Sequence, residues 1–144
     1  MQNDPPVQAS PASPVSATKS STGLDENVAS LLAYLFNWVS GLIFFLIEKN
    51  SRMVRFHAMQ SILLFGAIIV IGTVFWIVFF ILGLIVGQIS GLLATLFGLL
   101  SVLFSLVFVV LILGAWIFCM VKAYQGQYFK LPVIGNFAEK FSQK

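Results

Sequence analysis

At 144 residues, with 59% apolar, 15% aromatic and only 9% charged side chains, the chain lies far outside the mixture of a soluble globular domain, in which about a quarter of residues are charged. A mean hydropathy of +0.99 places it among integral membrane proteins, and the length leaves no room for a separate catalytic domain of ordinary size. The net charge of +3 comes from eight basic residues that mostly flank apolar segments, which points to headgroup anchoring rather than nucleic acid, and the single Cys119 excludes an intrachain disulfide or a cysteine-based metal cluster.

Residues 1–22 carry Pro5, Pro6, Pro11 and Pro14 among serines and can bury no core, so a disordered tail is expected. Asp4, with Lys19 as the only basic residue ahead of the first apolar run at Val28, does not fit a cleavable signal peptide. Thr22 with Asp25 three residues later reads as a helix start. Residues 28–47 are uncharged and long enough for one span, and Ala29, Ala33, Asn37 and Gly41 recur every four residues as a stripe for close helix approach.

The connection Glu48 to Arg55 sets Lys49, Arg52 and Arg55 against one acid, and Asn50 or Ser51 can cap the helix that follows. From Phe56 to Val121 there are 66 residues without Asp, Glu, Lys or Arg. As one helix they would reach roughly 100 Å against a hydrocarbon core of about 30 Å, so the chain must turn back. The turn is expected at Gly87-Gln88-Ile89-Ser90-Gly91, giving spans over 62–86 and 92–121. The expected fold is therefore all-α: an integral membrane bundle of three transmembrane helices, with four as the alternative. An interfacial segment from Lys122 and an end at residues 141–144 follow, Asn136 to Phe141 being one candidate interfacial turn. Three spans place the basic connection and the lysine-bearing C-terminal tail on one side, read as cytoplasmic with the N-terminus outside a cell membrane.

The run GLDENVASLLAYL (Gly23 to Leu35), the loop EKNSRMVRFHAMQS (Glu48 to Ser61) and the ending VKAYQGQYFKLPVIGNFAEK (Val121 to Lys140) resemble small bacterial and archaeal membrane proteins of unknown function grouped with the twenty-kilodalton Tic component, a chloroplast inner-envelope import subunit. The resemblance covers residues 23–140, with Arg55-Phe56-His57-Ala58-Met59-Gln60 as its most specific part. It implies a helical membrane domain and a link to protein translocation.

Three groups of residues are candidates for function. Lys49, Arg52, Arg55, His57 and Gln60 can contact an anionic headgroup or a partner, since arginine grips carboxylates and phosphates bidentately; the same cluster is also explained by topology and snorkelling. Asn37, Thr73 and Ser105 fall at the midpoints of the three spans and would meet as intramembrane polar packing, which favours structural glue over a conducting path because no ionisable residue accompanies them. Gly91, Ala94, Gly98, Ser101 and Ser105, spaced 3, 4, 3 and 4, make a small-residue helix seam. No catalytic, cofactor or metal residues are expected; a Cys119–His57 pair is the only nucleophilic arrangement to consider, and Cys119 lies in apolar sequence. The expected partners are the lipid bilayer and either copies of the chain itself or another membrane protein. The functional expectation is a helix-packing homo-oligomer or accessory subunit. A channel or transporter component built from several copies is the alternative, and an enzyme ranks behind both.

Overall fold

The structure, a computed structural model, describes residues 19–142. The expected proline- and serine-rich tail lies outside them as far as residue 18. All five elements are helical: α1 Glu26–Leu35, α2 Asn37–Ile47, α3 Arg52–Ile89, α4 Gly91–Tyr124 and α5 Ile134–Ser142. The all-helical membrane bundle expected from composition is what forms, and among the described residues two helices, α3 and α4, are long and apolar enough to cross a membrane.

The stretch 28–47 is not one span. It is two short helices that reverse at Phe36 and Asn37, and the reversal corrects the expected segmentation. Asn37 sits at φ +57°, a left-handed conformation that asparagine tolerates better than most residues. Breaking a helix frees backbone groups that lipid cannot satisfy, and four of those at this break, the Phe36 N–H and the carbonyls of Ala33, Tyr34 and Asn37, find side-chain partners. The Ser40 hydroxyl accepts the Phe36 N–H at 3.0 Å and shares its proton between the carbonyls of Ala33 and Asn37. The Ser61 hydroxyl on α3 donates to the Asn37 carbonyl at 3.0 Å, and the Trp116 indole N–H on α4 donates to the Tyr34 carbonyl at 2.8 Å. Trp116→Phe removes that last donor and leaves a carbonyl unpaired, so it is expected to cost about 1–3 kcal/mol in reversible unfolding in mixed micelles.

The two short helices return to their starting level. The Glu48 carboxylate, just past α2, accepts the Ser21 N–H at 2.9 and 3.0 Å and the Ser21 hydroxyl at 2.7 Å. Of the expected stripe, Ala29, Ala33 and Gly41 do serve close contact, although on two helices instead of one. A Cβ on Gly41 would lie 2.9 Å from the Ala58 carbonyl oxygen, so α2 packs nearly backbone to backbone on α3. The helix start is also displaced from Thr22: Asp25 occupies the cap position of α1 without a side-chain bond, and the Ser20 hydroxyl instead receives the Thr22 N–H at 3.0 Å.

Ser51 caps α3 as expected, accepting the Val54 N–H at 3.2 Å. The helix then buries residues on nearly every side from Met53 to Phe65, because α1, α2, α4 and α5 surround its first turns; none of its later residues is buried. The turn expected over 87–91 contracts to Ser90, which is extended between two helices and caps both without a side-chain bond. Antiparallel return is visible in stacked rings: Phe75 lies 4.9 Å from Phe104, and Phe79 lies 5.7 Å from Phe97. The C-terminal segment makes a full helix, longer than the single turn expected. It buries Gly135, Ala138 and Ser142 against the start of α3 and exposes Phe137 and Phe141, the two rings expected at the headgroups.

The molecule thus has a head of five helical pieces at one end and a stem of two helices below it. Ser21, Glu48, Arg55 and Ser142 all belong to the head, with Arg55 Nε donating to the Ser142 carbonyl at 3.2 Å. The expected placement of the first span's start opposite the C-terminal tail is replaced, for the described residues, by a common end. The physical reason is the reversal at Asn37, which removes one crossing.

Candidate functional site

Two places concentrate chemistry: the polar interior of the head, and a groove on the stem. In the head, α1 contributes Ser30 and Tyr34, one turn apart; α3 contributes His57, Gln60 and Ser61, which share a face; α4 contributes Cys119 and Ala123. The His57 Nε2 lies 3.2 Å from the Gln127 carbonyl oxygen, which can only accept, so that nitrogen carries the proton. Its Nδ1 is then the acceptor for the Tyr34 hydroxyl at 3.3 Å. Phe56 and Tyr128 pack around the imidazole, with ring centroids 5.2 and 6.4 Å away. Burial, reinforced by the Glu26 carboxylate and partly offset by Arg52, pushes the Tyr128 hydroxyl up and keeps it a neutral phenol.

Gln60 is 1% exposed, yet neither end of its amide has a partner in hydrogen-bond geometry. The buried Ser30 hydroxyl is likewise without one. Cys119 belongs to an apolar cluster with Tyr34, Leu64 and Ala123, and both His57 nitrogens are engaged elsewhere, so the conceivable Cys119–His57 pair is not joined by a hydrogen bond. Among the described residues no group of three or more His, Cys, Asp or Glu converges as metal ligands would.

The charged rim of the head is organised by Glu48, which sequence reasoning passed over. Its carboxylate is fully buried and accepts the N–H groups of Ser21, Asn50 and Ser51 and the Ser21 hydroxyl, all within 3.0 Å. Burial alone would raise its pKa, but these donors outweigh burial and lower it to about 2. Its visible signal was a lone acid in an otherwise basic connection. Arg55 is also structural: Nη1 donates to the Glu48 carbonyl at 2.9 Å and the guanidinium lies 4.7 Å from the Phe45 ring centroid.

The five proposed headgroup or partner contacts therefore separate. Lys49 and Arg52 are exposed at the rim; Arg55 is half-buried and tied to backbone; His57 and Gln60 face the interior, where no headgroup reaches them. Asn37, Thr73 and Ser105 do not meet. Asn37 ends the hairpin at the level of Ser61, about 18 Å along α3 from Thr73, because the chain turns back there. Thr73 and Ser105 are exposed, and the Ser105 hydroxyl bonds its own helix at Val102. The seam on α4 lies along an open apolar groove of about 370 Å³ between α3 and α4: Ala94, Gly98, Ser101 and Ser105 form one wall and Phe75 and Phe79 belong to the other, and a Cβ on Gly91 or Gly98 would meet nothing.

The model of the MamF/MmsF family, described as a magnetosome magnetite crystal formation protein family, matches residues 24–138. The chain belongs to this family. It is 44% identical over 125 residues to a UPF0132 membrane protein of Methanocaldococcus jannaschii, covering 87% of this chain and 96% of the relative. A UPF0132 membrane protein of Archaeoglobus fulgidus is 37% identical over 122 residues, covering 81% and 95%. No solved structure matches. The matched region takes in both the head and the stem, so the MamF/MmsF chain is matched as one unit. These comparisons bear out a small prokaryotic membrane protein; they do not show the likeness to the Tic component.

Proposed function

We propose that the protein is a membrane scaffold that acts by helix packing between copies of itself, with the head fixing the stem and the stem making the contact. The observation that carries this reading is the open groove along the α4 seam. Small residues let helices approach closely in lipid, where packing and not the hydrophobic effect drives association. Here Ala94, Gly98 and Ser101 line a groove that no side chain of the same chain fills. Magnetite crystal formation is what the family's description names, and an assembled membrane platform is the part of such a task for which these residues supply a basis. The reading assigns no catalytic step. By the positive-inside rule the head, with exposed Lys49, Arg52, Lys130 and Lys140, faces the cytoplasm.

The test is mass measurement of the tagged chain in native-lipid particles. A defined number of copies is expected, and Gly98→Leu should lower the associated fraction about tenfold, equivalent to roughly 1.4 kcal/mol, with head stability unchanged. A wild-type chain that is monomeric in the particles overturns the reading. A second protein in stoichiometric amount would favour the accessory role in polypeptide translocation that the Tic resemblance implies, and ion or solute flux through vesicles holding the chain alone would favour the channel.

A further inference from the structure

The lipid-facing part of the stem is longer than an ordinary bilayer is thick. Below the hairpin tip, which Ser61 pins on α3, 29 residues lead to Ser90, and at about 1.5 Å each they rise roughly 43 Å. A hydrocarbon core measures about 30 Å. Inclination lowers the stem's height, but at about 40°, the upper end for membrane helices, such a core takes in only about 39 Å of helix. At the average inclination of about 20° it takes in about 32 Å, and about 11 Å of stem is left over.

The surplus has little that suits water. No Asp, Glu, Lys or Arg lies between Arg55 and Lys122, so the far end has no charged flank of its own to hold it among headgroups. At the reversal Ile89 and Leu92 are 70% and 71% exposed, and Leu84, Ile85, Leu93 and Leu96 are exposed beside them. The polar side chains of residues 86–96 are Gln88, Ser90 and Thr95, and the Thr95 hydroxyl is taken up by the Gly91 carbonyl at 3.0 Å. The head does not shorten the apolar height. Ser61 and Trp116 fix the hairpin in place, and the outer face of α2, with Trp38, Ile43 and Leu46 exposed, continues the apolar surface upward.

We propose that the protein is selective for thick membranes: its lipid partner is a bilayer of long-chain phospholipids, whose hydrocarbon core approaches the roughly 43 Å of the stem. There the stem stands near the membrane normal, its exposed apolar residues stay in hydrocarbon and Ser90 reaches the far headgroups. In a thinner bilayer the stem must incline beyond the usual range or lift the reversal out of lipid, and longer lipids gather around it because they remove that cost. This preference belongs to the lipid-facing surface and holds for one copy or for several.

The test uses the full chain with Trp38→Phe, which leaves Trp76, 74% exposed at mid-stem, as the lipid-facing fluorophore beside the partly buried Trp116. The chain is reconstituted in lipid excess into brominated dioleoyl phosphatidylcholine mixed with a monounsaturated phosphatidylcholine of fourteen to twenty-four carbons per chain. Quenching then gives the binding constant of each lipid relative to the eighteen-carbon one. That constant is expected to rise about threefold from eighteen to twenty-four carbons and to fall about threefold at fourteen, the order that mismatch sets. A maximum at eighteen carbons or fewer overturns the proposal and would mean that protein, not lipid, covers the surplus. Ile85→Lys combined with Leu96→Lys, both exposed and outside the groove, brings a charged flank about 8 Å nearer the head. The maximum should then move to shorter chains, and a maximum that stays in place overturns stem length as its cause.

Discussion

Glu48→Ala is expected to release residues 19–25 from the head and to lower its stability by about 3 kcal/mol in reversible unfolding. The carboxylate is fully buried and gathers four donors from three backbone positions and a hydroxyl. Alanine leaves all of them to water or to nothing. Glu48→Gln keeps one acceptor oxygen and should lose about half as much. The same contacts set a pH dependence. Because the folded pKa is lowered from 4.5 to about 2, the carboxylate's stabilisation is complete above pH 4.5 and is lost as pH falls toward 2. The loss over that window should again be about 3 kcal/mol, and it should vanish in Glu48→Ala. A parent and a variant with the same acid dependence would remove the carboxylate from its assigned role.

Gly41→Leu should separate the hairpin from α3. A Cβ at this position already falls 2.9 Å from the Ala58 carbonyl oxygen and 3.1 Å from Ser61, so backbone and not a flexible side-chain end must move. Overpacking of this kind costs about 1–3 kcal/mol, and displacing α2 would also break the Ser61 bond to Asn37. Gly41→Ala is expected to show a smaller loss in the same direction. Gly98→Leu, placed where a Cβ meets nothing, should leave unfolding of the head unchanged and so serves as the contrast. Equal destabilisation by both leucines would contradict the division into a packed head and an open stem.

Much of the stem was legible in the sequence because its signals are local. An uncharged run of 66 residues requires a return, glycines and polar residues mark its place, and Ser51 has the position of a cap. The head was not, because its decisive contacts join residues far apart in the chain. Hydropathy cannot distinguish one helix over 28–47 from two of half the length, since both are equally apolar. What separates them is whether the freed carbonyls at Ala33, Tyr34 and Asn37 find donors, and those donors are Ser40, Trp116 and Ser61. Phe36-Asn37 followed by Ser40 is the local trace of the reversal, a residue that tolerates left-handed backbone with a hydroxyl three positions on. The proposed meeting of Asn37, Thr73 and Ser105 failed for this one reason, as did the expectation that the chain begins its membrane path opposite its C-terminal tail. His57 and Gln60 looked like rim residues because they follow Arg55 in sequence, yet helical periodicity turns both toward α1 and α4.

The reversal at Asn37 is the central claim, and sidedness tests it most directly. Lys19→Cys, Lys49→Cys and Ser90→Cys are labelled one at a time by an impermeant thiol reagent in sealed vesicles of known orientation. If residues 26–47 form a hairpin, positions 19 and 49 react from the same side and position 90 from the other. Reaction of positions 19 and 49 from opposite sides would mean that the segment crosses the membrane once, and the head described here would not exist.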